Sequence, residues 1–345
     1  MRAVQFTRPG ELPRLVDLPE PTCPGEGVVV HVGATGVCRS DWHAWAGHDP
    51  VALPHVPGHE LAGTVAVTGP AVRDWAVGDR VTVPFVCGCG RCDHCLAGDT
   101  HVCPDQTQPG FTGPGSFADL VAVHAADTNL VRLPDSLDFV TAASLGCRLA
   151  TSYRALVTHG QVGPGDWVAV HGCGGVGLSA VLVAVALGAR VVAVDVSRAA
   201  LARARELGAV ETVSADDVDD PAATVRDLTG GGAHVSIDGV GSPATAVSSV
   251  RSLRRRGRHV QVGLLLGGQS TPPLPMDLVV AQELSVHGSH GMPAHQYGDL
   301  LELVTSGRID PALLVGRVIG LDEAGAALAA MSEPAGSVGM TVVRL

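Results

Sequence analysis

The sequence contains no lysine, and all 23 of its basic residues are arginine. A chain without lysine cannot form a Schiff base through a lysine amine, and it cannot place a lysine on a phosphate as a P-loop does. A dehydrogenase that depends on a tyrosine–lysine pair is excluded for the same reason. Composition alone therefore rules out three kinds of enzyme chemistry.

Acidic residues outnumber basic ones, 34 to 23, and the formal net charge is −11. A nucleic-acid surface needs clustered positive charge. One basic cluster exists, Arg254–Arg256 with Arg251 and Arg258 beside it, and the nearby Gly257 leads us to predict a solvated helix end there. We therefore expect no nucleic-acid partner.

The N-terminal stretch "MRAVQFTRPG" lacks an apolar targeting signal and predicts a first strand. The one long uncharged run, 167–189, is interrupted by "HGCGGVG", which favours a buried strand and a buried helix over a membrane span. We therefore expect no membrane contact and a cytoplasmic location. In that reducing compartment, clustered thiols favour a metal over disulfides.

A length of 345 residues predicts two domains. The first 150 residues carry short β signals with frequent turns, which is typical of a compact, irregular β domain. From Asp166 strands and helices alternate, which predicts a parallel, doubly wound sheet and an α/β fold class. The tail from about His290 predicts two helices and a closing strand, "GMTVVRL".

A glycine-rich loop, "HGCGGVG", lies between the predicted strand "WVAVHG" and a predicted helix. Its glycines permit a tight turn and a close approach of backbone to a pyrophosphate at the positive end of the helix. Asp195 ends the next strand, where its carboxylate can accept hydrogen bonds from the adenosine ribose. The cofactor-binding glycines are Gly172, Gly174, Gly175 and Gly177.

The same region predicts NAD as the preferred dinucleotide over NADP. The Asp195 carboxylate repels a 2′-phosphate, and the chain has no lysine to offset that repulsion. Arg198 favours the opposite choice, because an arginine can bind a phosphate. We expect the closer carboxylate to dominate.

Cysteines are few, yet five of the nine lie in "CGCGRCDHCLAGDTHVC", residues 87–103. Four of them follow a C-x2-C-x2-C-x7-C spacing that can close a tetrahedron around zinc, although an iron–sulfur cluster would also accept four thiolates. A closed site has no open position, so we predict a purely structural role and leave Cys87 as a spare. The four predicted ligands are Cys89, Cys92, Cys95 and Cys103.

A second set of metal-ligand residues is dispersed along the chain: Cys38 in "GVCRSDWH", His59 in "VPGHELAG" and Cys147 in "LGCRLATSY". Buried cysteines commonly only pack. Two thiols and an imidazole together leave a fourth zinc position for water or substrate, which is the catalytic arrangement.

These motifs, in this order and over essentially the whole length, resemble the zinc-dependent medium-chain alcohol dehydrogenase family. The resemblance implies a GroES-like catalytic domain over 1–150 with the structural zinc loop, a Rossmann dinucleotide-binding domain over 151–288, and a return to the catalytic domain over 289–345. It also implies two zinc ions per chain, one catalytic and one structural, and a homodimer or homotetramer.

The resemblance assigns roles to the residues around the second set. It implies that Cys38, His59 and Cys147 hold the catalytic zinc, with Glu60 as a nearby or alternate ligand and Asp41 orienting His59.

Further roles concern the proton and the cofactor. Ser40 would take the alcohol proton and His43 would pass it to solvent. Arg39 would meet the pyrophosphate, and Thr151 and Val176 would lie against the nicotinamide.

The implied function is hydride transfer between an alcohol and NAD, with an aldehyde or ketone in reverse. Relatives that handle polyols often carry a carboxylate where this chain has Cys147, so simple alcohols are favoured. A polyol or amino-alcohol dehydrogenase and an aldehyde reductase remain alternatives. A zinc-stabilised binding protein would have lost the catalytic set, which this chain keeps. Trp42, Trp45, Phe85 and Phe111 are candidates for the substrate wall.

Overall fold

The computed structural model describes residues 1–333 and 338–345. The described chain forms two compact units. The first comprises 1–150, 291–305 and 310–345, and the second comprises 151–290 and 306–309. The sequence predicted boundaries after residues 150 and 288, and the short segment 306–309 was not foreseen in the second unit.

Strands provide the frame of both units. In chain order they are β1 (Arg2–Gln5), β2 (Arg14–Asp17), β3 (Val28–Val37), β4 (Glu60–Thr68), β5 (Arg80–Thr82), β6 (Leu120–Val123), β7 (Val131–Arg132), β8 (Trp167–His171), β9 (Arg190–Asp195), β10 (Glu211–Ser214), β11 (Ala233–Asp238), β12 (Leu253–Gln261), β13 (Ser285–Gly288), β14 (Val315–Gly320) and β15 (Met340–Arg344).

The helices are mostly short in the first unit and longer in the second. In chain order they are α1 (Arg39–Trp45), α2 (Asp93–Leu96), α3 (Ala126–Asn129), α4 (Phe139–Ala143), α5 (Ala150–Arg154), α6 (Gly175–Ala186), α7 (Arg198–Glu206), α8 (Pro221–Leu228), α9 (Pro243–Arg251), α10 (Met276–Ala281), α11 (Tyr297–Thr305) and α12 (Ala324–Ala329). π-Helical turns at Leu145–Leu149 and Ala155–Gly160 flank α5.

The first unit is built on a sheet with the strand order β14-β15-β3-β4-β5-β7, and β6 pairs with β3. The long strand β3 is at its centre, and its Val28, Val30 and Val32 pack with Leu61 and Val81 in a buried apolar cluster. The closing strand β15 pairs antiparallel with β3, from Thr341 opposite Val37 to Arg344 opposite Ala34. The C-terminal strand therefore packs on the sheet of the first unit.

The second unit is a six-stranded parallel sheet with the order β10-β9-β8-β11-β12-β13. Counted from its first strand, this is the 3-2-1-4-5-6 order of doubly wound dinucleotide folds. Every residue of β8 is buried, because helices cover both faces of such a sheet. The predicted α/β fold class, with a β unit and a parallel, doubly wound sheet, is confirmed.

Two stretches of this unit, the uncharged run and the basic cluster, can be compared with what the sequence predicted. The uncharged run 167–189 contains β8 and α6, and no helix among the described residues is long and apolar enough to cross a membrane. The basic cluster was predicted as a helix end, and this prediction was wrong for Arg254–Arg256, which lie exposed in β12. Helix α9 already ends at Arg251, and the chain then extends along β11 and β13.

Candidate functional site

The dispersed metal-ligand residues meet in the first unit. Ligand atoms of Cys38, His59, Glu60 and Cys147 all lie within 4.8 Å of one another. Cys38 follows β3 and begins α1, His59 directly precedes β4, and Cys147 lies in the π-helical turn Leu145–Leu149. The sheet thus brings residues from three separate segments to one point.

His59 is oriented by a buried carboxylate. Its Nδ1 donates to Asp41 Oδ1 at 2.8 Å, and both side chains are at most 1% exposed. The same carboxylate accepts from the backbone N–H of Cys38 at 3.1 Å and of Gly58 at 3.0 Å. Nε2 is left buried without a hydrogen-bond partner among the described residues. A neutral imidazole with a free Nε2 lone pair and a carboxylate on Nδ1 is the usual state of a metal ligand.

The two thiols of this set compete for one proton. A hydrogen bond from Cys147 lowers the pKa of Cys38 well below its usual range, and the same interaction raises the pKa of Cys147 well above its own. The buried thiol of Cys38 and the partly exposed thiol of Cys147 lie beside an imidazole nitrogen that has no partner among the described residues. This group fits a divalent cation, which would stabilise both thiolates.

Glu60 is paired with a buried arginine, Arg148, for which no role was predicted. Arg148 Nε and Nη2 donate to the two oxygens of Glu60 at 2.9 and 2.6 Å, and Nη2 also donates to the carbonyl oxygen of Val37 at 2.6 Å. Burial raises the pKa of the Glu60 carboxyl to about 7, and the attraction of Arg148 limits that rise. No local pattern signals a contact across 88 residues.

The four-cysteine loop forms a second cluster in the first unit, again with ligand atoms within 4.8 Å of one another. The Sγ atoms of Cys89 and Cys95 are 4.0 Å apart, and those of Cys92 and Cys103 are 3.7 Å apart. Four thiolates on zinc, at about 2.3 Å each, lie about 3.8 Å from one another. The loop therefore fits a tetrahedral metal.

The spare cysteine of this region is separate from the cluster. Cys87 is 1% exposed and packs in the apolar cluster around β3. Burial raises the pKa of its thiol to about 12, so it stays protonated and inert. All nine cysteines lie in the described residues as free thiols.

The predicted proton-relay residues lie on α1. Ser40 Oγ is 3.9 Å from Cys38 Sγ, and His43 Nδ1 is 3.1 Å from Nδ1 of His48. His43 is half-buried and His48 is exposed. His48 was not predicted, although its spacing from His43 in "HAWAGH" is a usable signal.

The glycine-rich loop of the second unit has the geometry of a phosphate cradle. Gly172 has φ +88°, and a Cβ there would meet Val240 at 2.2 Å. A Cβ at Gly177 would lie 1.7 Å from the carbonyl oxygen of Gly172, whereas one at Gly174 would meet nothing within 4 Å. Gly175 begins α6. The backbone is thus tightly turned at both ends and open to a ligand in the middle.

The two residues predicted to decide between NAD and NADP, Asp195 and Arg198, both have polar partners within the protein. The Asp195 carboxylate accepts from the N–H groups of Cys173 at 2.6 Å and Ser197 at 2.7 Å. Arg198 pairs with Asp217 at 3.1 Å on the exposed surface. The carboxylate is therefore fixed beside the glycine loop, while the guanidinium is directed to another acid.

Other predicted cofactor contacts are dispersed. Thr151 Oγ1 is buried without a hydrogen-bond partner among the described residues, which suits a ligand contact. Val176 is half-buried, and its carbonyl accepts from Ser152 Oγ at 2.8 Å. In the first unit, Arg39 Nη1 donates to the Met331 carbonyl at 2.6 Å.

The candidate wall aromatics separate into two pairs. The rings of Phe85 and Phe111 lie 6.1 and 5.1 Å from the His59 ring. Trp45 is instead buried in a core cluster, and Trp42 packs against His43. Of the four candidate aromatics, Phe85 and Phe111 are therefore the two whose rings lie beside a predicted metal ligand.

Comparison with known proteins places this architecture in a family. The model described as "Alcohol dehydrogenase GroES-like domain" matches residues 24–135, and that described as "Zinc-binding dehydrogenase" matches residues 175–306. An alcohol dehydrogenase of Geobacillus stearothermophilus is 36% identical over 285 residues, which cover 82% of each chain. The structure of an alcohol dehydrogenase from Thermus sp. ATN1 matches with a TM-score of 0.92 and 30% identity over 100% of this chain and 99% of that one. That of an NAD-dependent alcohol dehydrogenase matches with a TM-score of 0.89 and 31% identity over all of both chains.

The fold and the matches define a zinc-binding dehydrogenase. The chain belongs to the zinc-dependent medium-chain alcohol dehydrogenase family. It is an oxidoreductase that acts on alcohols, with zinc and a nicotinamide dinucleotide as cofactors and a small-molecule alcohol as substrate. The predicted family and enzyme class are confirmed, and the polyol, amino-alcohol and reductase alternatives are not favoured.

Proposed function

We propose that the protein transfers hydride between a simple alcohol and NAD at a zinc site held by Cys38, His59 and Cys147. The observation that carries this proposal is the close group of two thiols and a buried imidazole whose Nε2 has no partner among the described residues. Three protein ligands leave one position for substrate, as in catalytic zinc sites. A zinc ion held there would supply the Lewis acidity that lowers the pKa of an alcohol hydroxyl, and a bound nicotinamide dinucleotide would supply the hydride acceptor.

The protein's own groups would orient the site and remove the proton. Asp41 fixes the His59 ring, so the Nε2 lone pair keeps one direction. Ser40 lies two residues after Cys38 and is proposed to accept the hydroxyl proton. His43 would pass this proton toward solvent, and its contact with the exposed His48 supplies an exit.

The four-cysteine loop is proposed to hold a structural zinc with Cys89, Cys92, Cys95 and Cys103 as ligands. The 3.7 and 4.0 Å sulfur separations support a tetrahedral site. Four protein ligands leave no position for a substrate, so the role is confined to stability.

NAD is proposed as the preferred dinucleotide. The support is the fixed Asp195 carboxylate beside the loop, together with the pairing of Arg198 to Asp217. Gly172, Gly174, Gly175 and Gly177 would lie along the pyrophosphate, with Arg39, Thr151 and Val176 as further contacts.

Simple alcohols are proposed as substrates in preference to polyols. The rings of Phe85 and Phe111 lie beside His59 and offer no hydrogen-bonding groups to extra hydroxyls. Cys147 stands where relatives that handle polyols often carry a carboxylate. A site built to bind several hydroxyls needs several polar partners.

A homodimer or homotetramer in the cytoplasm is proposed as the working form. Strand β13 is an edge of the six-stranded sheet, and apolar side chains are exposed near it in sequence: Val286 is 41%, Met276 56% and Val280 75% exposed. Unpaired strand edges with apolar neighbours are typical of contact surfaces. The two thiol clusters require a reducing compartment to stay metal-competent.

The test compares substrates and ligand variants. The purified protein should contain two zinc ions and should reduce NAD with primary, secondary or aromatic alcohols at a higher kcat/KM than with polyols. His59→Ala and Cys38→Ser should each abolish turnover in a folded protein, whereas Cys23→Ser, at a cysteine outside both clusters, should retain it. A single zinc, a visible iron chromophore, or a higher kcat/KM for polyols would overturn the proposal.

A further inference from the structure

One buried guanidinium connects the three chain segments that carry the proposed catalytic ligands. Arg148 is 8% exposed, and its three hydrogen bonds reach both oxygens of Glu60 and the carbonyl of Val37. Val37 directly precedes Cys38, Glu60 directly follows His59, and Arg148 directly follows Cys147. Each ligand therefore has a chain neighbour in this network.

Glu60 itself lies within reach of the metal position. One of its carboxylate oxygens is within 4.8 Å of the ligand atoms of Cys38, His59 and Cys147. A carboxylate is a good zinc ligand. Glu60 is 0% exposed, so water does not compete for its charge.

The opposite side of the carboxylate is also confined. A Cβ at Gly36 would lie 2.2 Å from Glu60 Oε2, so only glycine leaves room for the carboxylate in its present position. The bidentate contact with Arg148 uses both oxygens in the planar geometry that a guanidinium favours. The side chain is thus held in one conformation.

We propose that Arg148 is a positioning residue that holds the Glu60 carboxylate off the metal and so keeps the fourth position open for the alcohol. This inference rests on the proposed zinc site. A buried carboxylate that loses its cationic partner is strongly destabilised and is driven to the nearest remaining positive charge. Without the guanidinium that charge is the metal, and the carboxylate then competes with substrate.

The test uses cobalt(II) in place of zinc at the Cys38 site, read by its visible absorption, together with steady-state kinetics. In Arg148→Met we expect a changed cobalt spectrum and a KM for alcohol raised about tenfold or more, with kcat changed less. The double variant Glu60→Gln with Arg148→Met removes both charges and should return the spectrum and KM toward wild type. Arg154→Met, at an arginine that is also 8% exposed, is the matched control and should leave the cobalt spectrum unchanged.

The single variant Glu60→Gln keeps the proposal testable if Arg148→Met does not fold. With Arg148 holding the carboxylate away, Glu60→Gln should leave the cobalt bands at their wild-type positions. A shift of the bands in Glu60→Gln would mean that Glu60 already binds the metal, and an unchanged spectrum and KM in a folded Arg148→Met would mean that the guanidinium does not restrain it. Either result overturns the inference. A cobalt spectrum insensitive to His59→Ala would instead overturn the zinc site itself.

Discussion

At the scale of single residues, the candidate metal ligands can be identified in the sequence, but the geometry of the residues that contact them is known only from the structure. His59 depends on Asp41 for its orientation, and Glu60 depends on Arg148. The contact with Asp41 leaves Nε2 as the ring nitrogen of His59 that a metal could bind, and the contact with Arg148 uses both oxygens of Glu60.

The His43–His48 contact leads to a pH prediction. Burial lowers the pKa of His43, and the neighbouring His48 lowers it further. A relay base must be neutral to accept a proton, so activity should rise as pH increases through that lowered pKa and the acidic limb should lie below about 6.5. His43→Gln should reduce kcat and remove this limb.

Profiles of kcat against pH for wild type, His43→Gln and His48→Gln check this relay. His48→Gln should keep the limb but move it, because one of the neighbours that lowers the His43 pKa is gone. An identical profile in all three proteins would show that neither histidine carries the proton.

Asp195 gives a second residue-scale prediction. Wild type should favour NAD over NADP in kcat/KM by at least about tenfold, which is about 1.4 kcal/mol. Asp195→Ser should narrow the ratio because the charge that repels a 2′-phosphate is removed. Arg198→Ala is the matched comparison and should have the smaller effect, since Arg198 already pairs with Asp217. A wild-type preference for NADP would show that Arg198 governs the pocket.

At the scale of elements, each site depends on where a strand or turn ends. The glycine loop connects β8 to α6, and Asp195 ends β9, so the parallel sheet places them at one edge. The π-helical turn Leu145–Leu149 carries Cys147 and Arg148 together, and such turns are frequent at functional sites.

The four-cysteine loop can be tested as an element. Cys95→Ser should lose one zinc per chain and lower the midpoint of thermal unfolding, because a closed thiolate site contributes directly to folding. Cys87→Ser is the matched control in the same loop and should retain both ions. Zinc analysis and calorimetry measure the two effects, and full zinc content in Cys95→Ser would contradict the assignment.

At the scale of the whole molecule, the chain forms two units, and the sequence pattern that predicts them consists mainly of residues close together in the chain. The alternation of apolar and polar residues and the glycine-marked turns were sufficient to predict a β unit followed by a parallel sheet. The return of the C-terminal strand to the first sheet is visible in the pairing of β15 with β3.

Stability should depend on pH through His171, the last residue of β8. Burial lowers the pKa of this histidine to about 3, so the folded protein keeps it neutral while the unfolded chain protonates it below about 6.5. Its contribution to the free energy of unfolding is therefore complete above that pH and is lost progressively as the pH falls toward 3.

Unfolding midpoints at pH 7.5 and 5.5 check this titration. Between pH 7.5 and pH 5.5, the free energy of unfolding of His171→Asn should fall by about 1.4 kcal/mol less than that of wild type. The difference between the two proteins removes the pH dependence that zinc binding adds to both. An equal loss in both proteins would exclude a role for His171.

The sequence by itself determined the ligand chemistry, the glycine loop and the alternation of strands and helices. These features are local, because each depends on residue types at short spacings. Tertiary structure decided the bidentate contact of Arg148 with Glu60, the pairing of Arg198 with Asp217 and the inclusion of Arg254–Arg256 in strand β12. Such contacts follow from which strands lie side by side, and no short spacing in a single sequence records that choice.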